Sequence, residues 1–189
     1  MIYHASPVKG LKVLIPHTSN HGTPLVYFSQ KRENVLVYLS NAVEKFCTEN
    51  GTVHTGPYKK WASYGFESGI LRMEEYYPGA LAETYKGVSG YIYRCRECED
   101  IIPQSDIPFA FISSAPVIIE GCEFVVDAYE EILKAESRGK IKIQRYRDMT
   151  DAKLRWIQAT VQNEYLQNRG HPEYRAFLKA KFSEIISGL

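Results

Sequence analysis

The sequence predicts an α+β fold, in which antiparallel sheets pack with helices and a helical segment closes the chain. Short runs of β-branched and aromatic residues are typical of strands, and the clearest lie at 25–28 and 88–95. Between them, apolar residues recur at three- and four-residue steps, which predicts one amphipathic helix over 30–49. After Thr150 the helical period dominates to the end of the sequence.

The composition is that of a globular protein, with 44% hydrophobic and 24% charged residues. None of the apolar runs approaches the roughly 20 residues of a membrane helix, and the first residues do not follow the pattern of a signal peptide. Four cysteines in 189 residues do not suggest a disulfide scaffold. We therefore expect a cytoplasmic protein with reduced thiols and no membrane partner.

The net charge of +1 is unevenly distributed along the sequence. Residues 134–189 carry 12 Lys and Arg against 6 Asp and Glu, whereas the preceding residues have a net charge of −5. A basic segment of this kind indicates either an anionic partner, such as nucleic acid, or an ordinary solvated helix face. We divide the chain into a body over 1–147 and a C-terminal helical extension over 148–189 that packs on it.

The first half of the chain has the less regular pattern. A strand-like pattern occurs at 2–6, and 8–15 fits either a broken strand or a short helical turn because a glycine interrupts it. The central helix ends at the Glu-Asn-Gly turn of 49–51. The aromatic segment 52–78 fits either short strands or a helix around 66–75, and we expect it to form part of a pocket wall.

The second half alternates between strands and helices. Short apolar runs predict strands at 109–113, 116–119, 121–127 and 141–146. Asp127 can cap a helix over 128–137, because its carboxylate can accept N–H groups of the first turn. Thr150 can cap another helix, and Pro172 suits the first position of a last helix that runs to Ile186.

Metal-binding patterns are weak in this sequence. Cys95 and Cys98 form a CxxC, but Cys47 and Cys122 stand alone, so the partner pair of a zinc site is missing. Two structural thiols at a strand end are favoured over a zinc module. The two histidines of the loop 17–24 lack nearby carboxylates, which favours solvated side chains over a metal pair.

Two tyrosines mark the centre of the chain. Tyr27 lies near the end of the strand 25–28, Ser29 can cap the helix that follows, and Tyr38 comes eleven residues after Tyr27. Two aromatic faces placed this way can bracket a flat ligand where a strand edge meets a helix. The alternative is that both are ordinary core or rim residues.

Three short motifs follow one another along the chain. Residues 2–6 are Ile-Tyr-His-Ala-Ser, residues 26–28 are Val-Tyr-Phe, and residues 123–126 are Glu-Phe-Val-Val. In this order they resemble the His, Tyr and Glu motifs of ADP-ribosyltransferases of the diphtheria-toxin and poly(ADP-ribose) polymerase type. The step from Tyr27 to Tyr38 is also the step between that family's two stacking tyrosines. The resemblance covers the region from residue 2 to 126.

The resemblance implies split antiparallel β-sheets with packed helices, and NAD+ as the substrate from which nicotinamide is released. His4 would donate a hydrogen bond to a ribose hydroxyl, and Ala5, followed by Ser6 in the same motif, would bond the nicotinamide carboxamide through its backbone. Tyr27 and Tyr38 would stack on the nicotinamide ring. No metal is implied.

The resemblance also implies that Glu123 is the catalytic carboxylate, which would accept the ribose 2′-hydroxyl and offset the positive charge of an oxocarbenium-like transition state. Because side chains alternate along a strand, Glu123 shares a face with Val125, which makes an inward carboxylate possible. Glu120 is the alternative if the register differs.

Two positions depart from the family pattern. Ala5 stands where the family has glycine, and Val35 stands where many members place a serine that bonds the carboxamide. We therefore keep two alternatives to a transferase: a catalytically silent interaction or NAD-binding protein, and an NAD glycohydrolase. The acceptor of a transferase would be a protein, a nucleic acid or a small molecule, and the basic C-terminal region favours an anionic one.

Overall fold

The computed structural model describes residues 1–18, 22–56 and 61–188. The strands are Ile2–Ser6 (β1), Val13–Leu14 (β2), His17–Thr18 (β3), Pro24–Ser29 (β4), Ala62–Glu67 (β5), Ile70–Glu75 (β6), Gly90–Cys95 (β7), Ile101–Pro103 (β8), Ala110–Ser113 (β9), Val117–Ile118 (β10), Gly121–Val125 (β11) and Ile141–Gln144 (β12). The α-helices are Ala42–Glu49 (α1), Ala80–Tyr85 (α2), Ala128–Ser137 (α3), Asp151–Gln167 (α4), Pro172–Lys181 (α5) and Ser183–Ile186 (α6). Two 3-10 helices span Arg32–Tyr38 and Tyr146–Asp148. The α+β class is confirmed.

The largest sheet of the described residues has seven strands in the order β11-β7-β1-β4-β9-β8, with β3 added to β4. Every pair of strands whose register is described is antiparallel. The described ranges also contain a two-stranded sheet (β10-β2) and a three-stranded sheet (β12-β6-β5). The main sheet is larger than the two small sheets expected, because β1 joins strands on both of its sides.

One apolar cluster lies against the main sheet. Its buried members are Ile2, Leu14, Val26, Phe28, Cys95, Ile101 and Val117. Leu14 and Val117 come from the small sheet β10-β2, whose neighbouring residues Val13 and Ile118 are exposed. This alternation is the period-2 pattern of a strand that has one buried face.

The single helix expected over 30–49 is wrong, because the segment divides at Ser40. A 3-10 helix covers Arg32–Tyr38, and α1 begins only at Ala42. Asn41 stands between them in an extended conformation and caps α1, since its side-chain oxygen accepts the N–H groups of the second and third helical residues at 3.0 and 3.3 Å. The spacing of apolar residues continues through the break, so it does not indicate where the 3-10 helix ends and α1 begins.

The capping role expected for Ser29 is also wrong. Ser29 ends β4, and its hydroxyl accepts the N–H of Lys31 and the side-chain amide of Asn34, each at 3.2 Å. The 3-10 helix starts after Lys31, which has no capping side-chain bond. Tyr38 is consequently the last residue of a tight 3-10 segment and not a mid-helix residue.

Residues 62–75 form a hairpin, so the strand alternative for this segment is correct and the helix alternative around 66–75 is wrong. Ser68 and Gly69 connect β5 to β6 with φ values of 50° and 73°. Positive φ at both turn residues is the signature of a type I′ hairpin. Such a turn needs a residue that tolerates the left-handed region, which Gly69 supplies.

The predicted caps of the second half are confirmed. Asp127 accepts the N–H groups of Tyr129 and Glu130 at 2.8 and 3.2 Å, and α3 covers the residues expected. Thr150 caps α4 through the N–H of its third residue. The last helix does not run unbroken to Ile186, because Phe182 leaves the helical conformation between α5 and α6.

The described residues form two compact units. Unit 1 consists of Met1–Leu39, Tyr64–Arg72 and Tyr85–Lys142, and unit 2 of Ser40–Ser63, Met73–Thr84 and Ile143–Leu189. The division of the chain at 147/148 stays a prediction. Unit 2 contains residues from both sides of that boundary. None of the helices in the described ranges is long and apolar enough to cross a bilayer.

Unit 2 has an aromatic core, to which the segment 52–78 contributes. The Trp61 ring lies 4.9 Å from that of Phe182, and the Tyr77 ring lies 5.6 Å from Phe182 and 6.2 Å from Phe177, between ring centroids. These edge and tilted contacts are the geometries that aromatic pairs prefer. Trp61 and Tyr77 are therefore buried core residues of unit 2.

We expect Gly90→Ala to destabilise unit 1 by about 1–3 kcal/mol, because the added methyl group overpacks a buried site. A Cβ at Gly90 would lie 2.5 Å from Cδ2 of Leu39 and 3.2 Å from the Ser6 carbonyl oxygen. Urea unfolding measures the change. Gly65→Ala is the matched strand control, since its Cβ would meet only Arg72 at 3.9 Å. Equal unfolding free energies for the two variants would contradict the expectation.

Candidate functional site

The three sequence motifs lie on neighbouring strands of the main sheet in unit 1. His4 is on β1, Tyr27 on the adjacent β4, and Glu123 on β11, which only β7 separates from β1. Ala5 is opposite Ile92 of β7, and Ile92 is opposite Glu123. Residues in one row across a sheet point to the same face, so Ala5 and Glu123 share a face two strand spacings, about 10 Å, apart.

The sheet opens beside the first motif. β1 pairs with β7 over all five of its residues, but its described ladder with β4 is the single pair of Tyr3 and Ser29. Beyond Tyr3, the backbone of Ala5 and Ser6 that faces β4 lies outside that ladder. The two strands therefore separate at the residues that the resemblance assigns to the nicotinamide carboxamide.

His4 bridges the two strands where they separate. Its Nδ1 lies 2.8 Å from the carbonyl oxygen of Tyr27. Because a carbonyl oxygen only accepts, Nδ1 carries the proton and donates this bond. Burial lowers the pKa of His4 below its ordinary value of 6.5, against the opposing effect of the Tyr27 bond. The neutral ring then has a lone pair on Nε2, which accepts hydrogen bonds and does not donate them.

Both predicted stacking tyrosines lie near His4. The ring of Tyr38 is 6.4 Å from that of His4 between centroids, with an angle of 31° between the planes. Burial, a hydrogen bond to Tyr64 and the neighbouring Tyr27 together raise the pKa of Tyr38. The structure therefore brings three tyrosines and one neutral histidine together at the opening between β1 and β4.

Tyr64 is the member of this group that sequence reasoning missed. It lies on β5 in the aromatic segment whose secondary structure the pattern left open. Its contact with Tyr38 joins residues that are far apart in the chain. The spacing of residues within one element cannot predict such a contact. The pocket-wall expectation for 52–78 stays a prediction, and Tyr64 is a residue of this segment that contacts a predicted stacking tyrosine.

The Glu123 carboxylate is at the surface of the sheet and not inside it. Its side chain is 49% exposed, while Val125 on the same strand face is buried. The guanidinium of Arg32 holds both of its oxygens: Nε donates to Oε2 at 2.9 Å and Nη2 donates to Oε1. The inward carboxylate considered from strand alternation is therefore wrong, since β11 is an edge strand whose long side chains reach solvent.

Arg32 also binds a second carboxylate. Its Nη2 donates to Oε2 of Glu131 on α3 at 3.0 Å, and Lys134 pairs with the other oxygen of Glu131 at 3.0 Å. The hydrogen bond to Glu123 is the largest of the effects that raise the pKa of Arg32. Sequence reasoning missed both Arg32 and Glu131. Arg32 is 91 residues before Glu123 and 99 residues before Glu131, so no local pattern connects them.

The alternative carboxylate, Glu120, lies just before β11. It forms an ion pair with the exposed Arg96 at 3.0 Å, and its own N–H donates to the carbonyl oxygen of Arg94. It is not in the row that contains Ala5 and Glu123. Val35, which stands at the family's serine position, is fully buried in the apolar core.

The cysteines and histidines of the described ranges do not assemble into a metal centre. No group of three or more His, Cys, Asp or Glu side chains there could hold a metal ion. All four cysteines are free; Cys95 is buried at the end of β7, where burial raises the pKa of its thiol to about 11, and Cys98 is exposed. The histidine pair considered in the loop 17–24 includes His21, which lies outside the described residues.

Comparison of the chain with protein-family models, with curated proteins and with solved structures finds no match.

We expect the stability of the protein to fall with pH below about 6.5 partly through His4. The buried ring has a lowered pKa, so the unfolded chain binds the proton more readily and the free energy of unfolding decreases as pH falls. His4→Gln keeps a side-chain donor but does not titrate. Urea unfolding between about pH 7.5 and pH 5 is expected to show a smaller loss for this variant than for wild type.

A His4→Gln profile that parallels wild type would contradict the assignment of a neutral, buried imidazole.

Proposed function

We propose that this protein is an ADP-ribosyltransferase of the His-Tyr-Glu type, which uses NAD+ as its substrate and releases nicotinamide. The observation that supports this most strongly is the opening of the main sheet between β1 and β4. Elements of the first two motifs meet near this opening: the backbone of Ala5, the ring of His4 and the residue Tyr27, whose carbonyl oxygen accepts the His4 bond. Glu123 stands in the same row as Ala5, two strands away.

The opening suits a planar amide. A nicotinamide carboxamide has one donor group and one acceptor oxygen, and a strand edge that has left its neighbour offers a backbone N–H and C=O with matching chemistry. In this proposal the backbone at Ala5 binds the carboxamide, as the motif predicts, and Ser6 follows it at the end of the strand. Tyr27 and Tyr38 contact the faces of the ring.

His4 binds a ribose hydroxyl in this proposal, with its direction reversed from the one predicted. Since Nδ1 donates to Tyr27, the neutral ring offers Nε2 as an acceptor, and the hydroxyl is the donor. The bond to the Tyr27 carbonyl fixes both the tautomer and the ring plane. His4 therefore links the ribose site to the strand that carries one of the stacking tyrosines.

The reaction cleaves the bond between the ribose C1′ and the nicotinamide nitrogen. The electron pair of that bond goes to the nitrogen and neutralises its positive charge, so positive charge moves onto the ribose. Glu123 accepts a hydrogen bond from the ribose 2′-hydroxyl and offsets this charge in the transition state. The acceptor nucleophile then forms its bond to C1′ and releases its proton to solvent. No metal ion takes part.

The acceptor is a protein, a nucleic acid or a small molecule in this proposal. The basic C-terminal segment is partly neutralised within unit 2, where Lys153 pairs with Glu74 at 2.9 Å and Lys181 pairs with Glu83 at 2.5 Å. Neither acid belongs to the basic segment. These pairs favour the solvated-face interpretation of its charge over a dedicated nucleic-acid surface.

Calorimetric titration with NAD+, with nicotinamide release followed in parallel, tests the proposed function. We expect wild type to bind NAD+ and release nicotinamide, and Glu123→Gln to bind within about threefold of wild type while release falls about 100-fold or more. Glu120→Gln is the matched control, and its release is expected to stay within about twofold of wild type.

Other outcomes separate the alternatives. Release without an ADP-ribosylated product indicates an NAD glycohydrolase, in which water is the acceptor. NAD+ binding without release by wild type indicates a silent NAD-binding protein. A wild type that does not bind NAD+ contradicts the proposal and supports an interaction protein.

We expect Tyr38→Ala to weaken NAD+ binding about tenfold, because a stacked aromatic pair contributes on the order of 1 kcal/mol beyond the area it buries. Tyr38→Phe keeps the ring but loses the hydrogen bond to Tyr64, so its affinity is expected to stay near wild type although its stability falls. Calorimetry and thermal unfolding measure the two effects. Equal NAD+ affinities for the two variants would exclude stacking by Tyr38.

A further inference from the structure

Arg32 links the strand that carries Tyr27 to the strand that carries Glu123. It is the first residue of the 3-10 helix, three residues beyond the end of β4, and its side chain is 29% exposed. Its guanidinium donates side-on to Glu123 through Nε and Nη2, and Nη2 also donates to Glu131 of α3. Three charged side chains from three separate elements thus meet at one point.

We propose that Arg32 is a positioning residue that sets the orientation of the Glu123 carboxylate, and that Glu131 in turn holds Arg32 in place. This inference rests on the proposed function, because it assigns Arg32 a part in the cleavage of NAD+. Arg32 acts through Glu123 and does not itself contact the reacting atoms.

An exposed glutamate on an edge strand needs such a partner. The Glu123 side chain is about half exposed, so by itself it would sample several rotamers at an entropic cost to any ordered complex. The planar guanidinium fork fixes both oxygens and therefore the plane of the carboxylate. A misplacement of about 1 Å of a catalytic group costs up to about 100-fold in rate, which makes this orientation important.

The ion pair leaves Glu123 able to act. A carboxylate has about four lone-pair sites on its two oxygens, and the side-on arginine occupies one site on each oxygen. The remaining sites can accept the ribose hydroxyl while Arg32 stays bound. Release of the ion pair is therefore not required for the hydrogen bond that the proposed reaction needs.

Glu131 preserves the sign of the local charge. Arg32 alone would cancel the charge of Glu123 and weaken its attraction for an oxocarbenium-like ribose. With Glu131 on the same guanidinium, these three side chains together carry a net charge of −1; the Lys134 ammonium, which pairs with the outer oxygen of Glu131, is 57% exposed, so solvent screens its charge at Glu123. Glu131 is 26% exposed, less than Glu123, and Lys134 holds its other oxygen, which makes it the firmer of the two anchors.

Steady-state kinetics of nicotinamide release, with varied NAD+, test this inference in the whole 189-residue chain. Arg32→Lys keeps the charge but lacks the two-pronged geometry, and we expect kcat to fall about 10- to 30-fold with KM within about threefold of wild type. Glu131→Gln is expected to lower kcat about three- to fivefold. Glu130→Gln, the matched control at the exposed neighbouring position of α3, is expected to leave both parameters unchanged.

The Nε–Hε signal of Arg32 in nitrogen–proton NMR spectra provides a readout that does not depend on NAD+. We expect a protected signal in wild type that shifts in Glu131→Gln and not in Glu130→Gln. Circular dichroism checks that each variant is folded, and Glu131→Gln decides the matter if Arg32→Lys does not fold.

Three outcomes would overturn the inference, and they differ from one another. An active wild type with unchanged kcat in both Arg32→Lys and Glu131→Gln removes the positioning role but leaves the proposed function intact. A raised KM with unchanged kcat assigns Arg32 to direct binding of the substrate, for instance its diphosphate. A wild type that releases no nicotinamide removes the proposed function and the inference together.

Discussion

The pairing of β1 at the centre of the main sheet is the constraint on which the rest of unit 1 depends. Five residues, Ile2–Ser6, form a complete ladder with β7, about ninety positions along the chain, and a single pair with β4. The strands β11 and β7 lie on one side of β1 and β4, β9 and β8 on the other, so β1 is what joins them. The full ladder with β7 holds the two sides of the sheet together, and the single pair with β4 leaves those two strands apart beside His4.

The unequal pairing of β1 with β7 and β4 also explains how the candidate site is organised. Where β1 and β4 separate, a side-chain bond from His4 to the Tyr27 carbonyl replaces the ladder, and this bond determines the tautomer of the ring. Glu123, on the edge strand, cannot rely on burial for its orientation and is held by the fork of Arg32 instead. Hydrogen bonds orient one polar group in the interior, and ion pairs orient the other at the surface.

Local chemistry in the sequence was sufficient for the helix starts at Asp127 and Thr150, although it failed at Ser29. Asp127 and Thr150 begin the helices expected of them, because a cap depends only on the next few N–H groups. The central helix was predicted incorrectly, since the apolar period continues through Ser40 and only the capping bonds of Asn41 reveal a new start. The spacing of apolar residues shows which face of a segment is buried. This spacing is the same before and after the break, so it does not show that the helix is interrupted.

The sequence by itself determined the α+β class, most of the strands and caps of the second half, and the residues that form the three motifs. The tertiary structure alone decided that β1 and β4 separate after Tyr3, that Tyr64 contacts Tyr38, and that Arg32 connects Glu123 to Glu131. The physical reason is the range of each interaction. Helical periodicity, caps and turns depend on interactions over a few residues. Strand order and ion pairs between elements depend on how distant segments of the chain pack together.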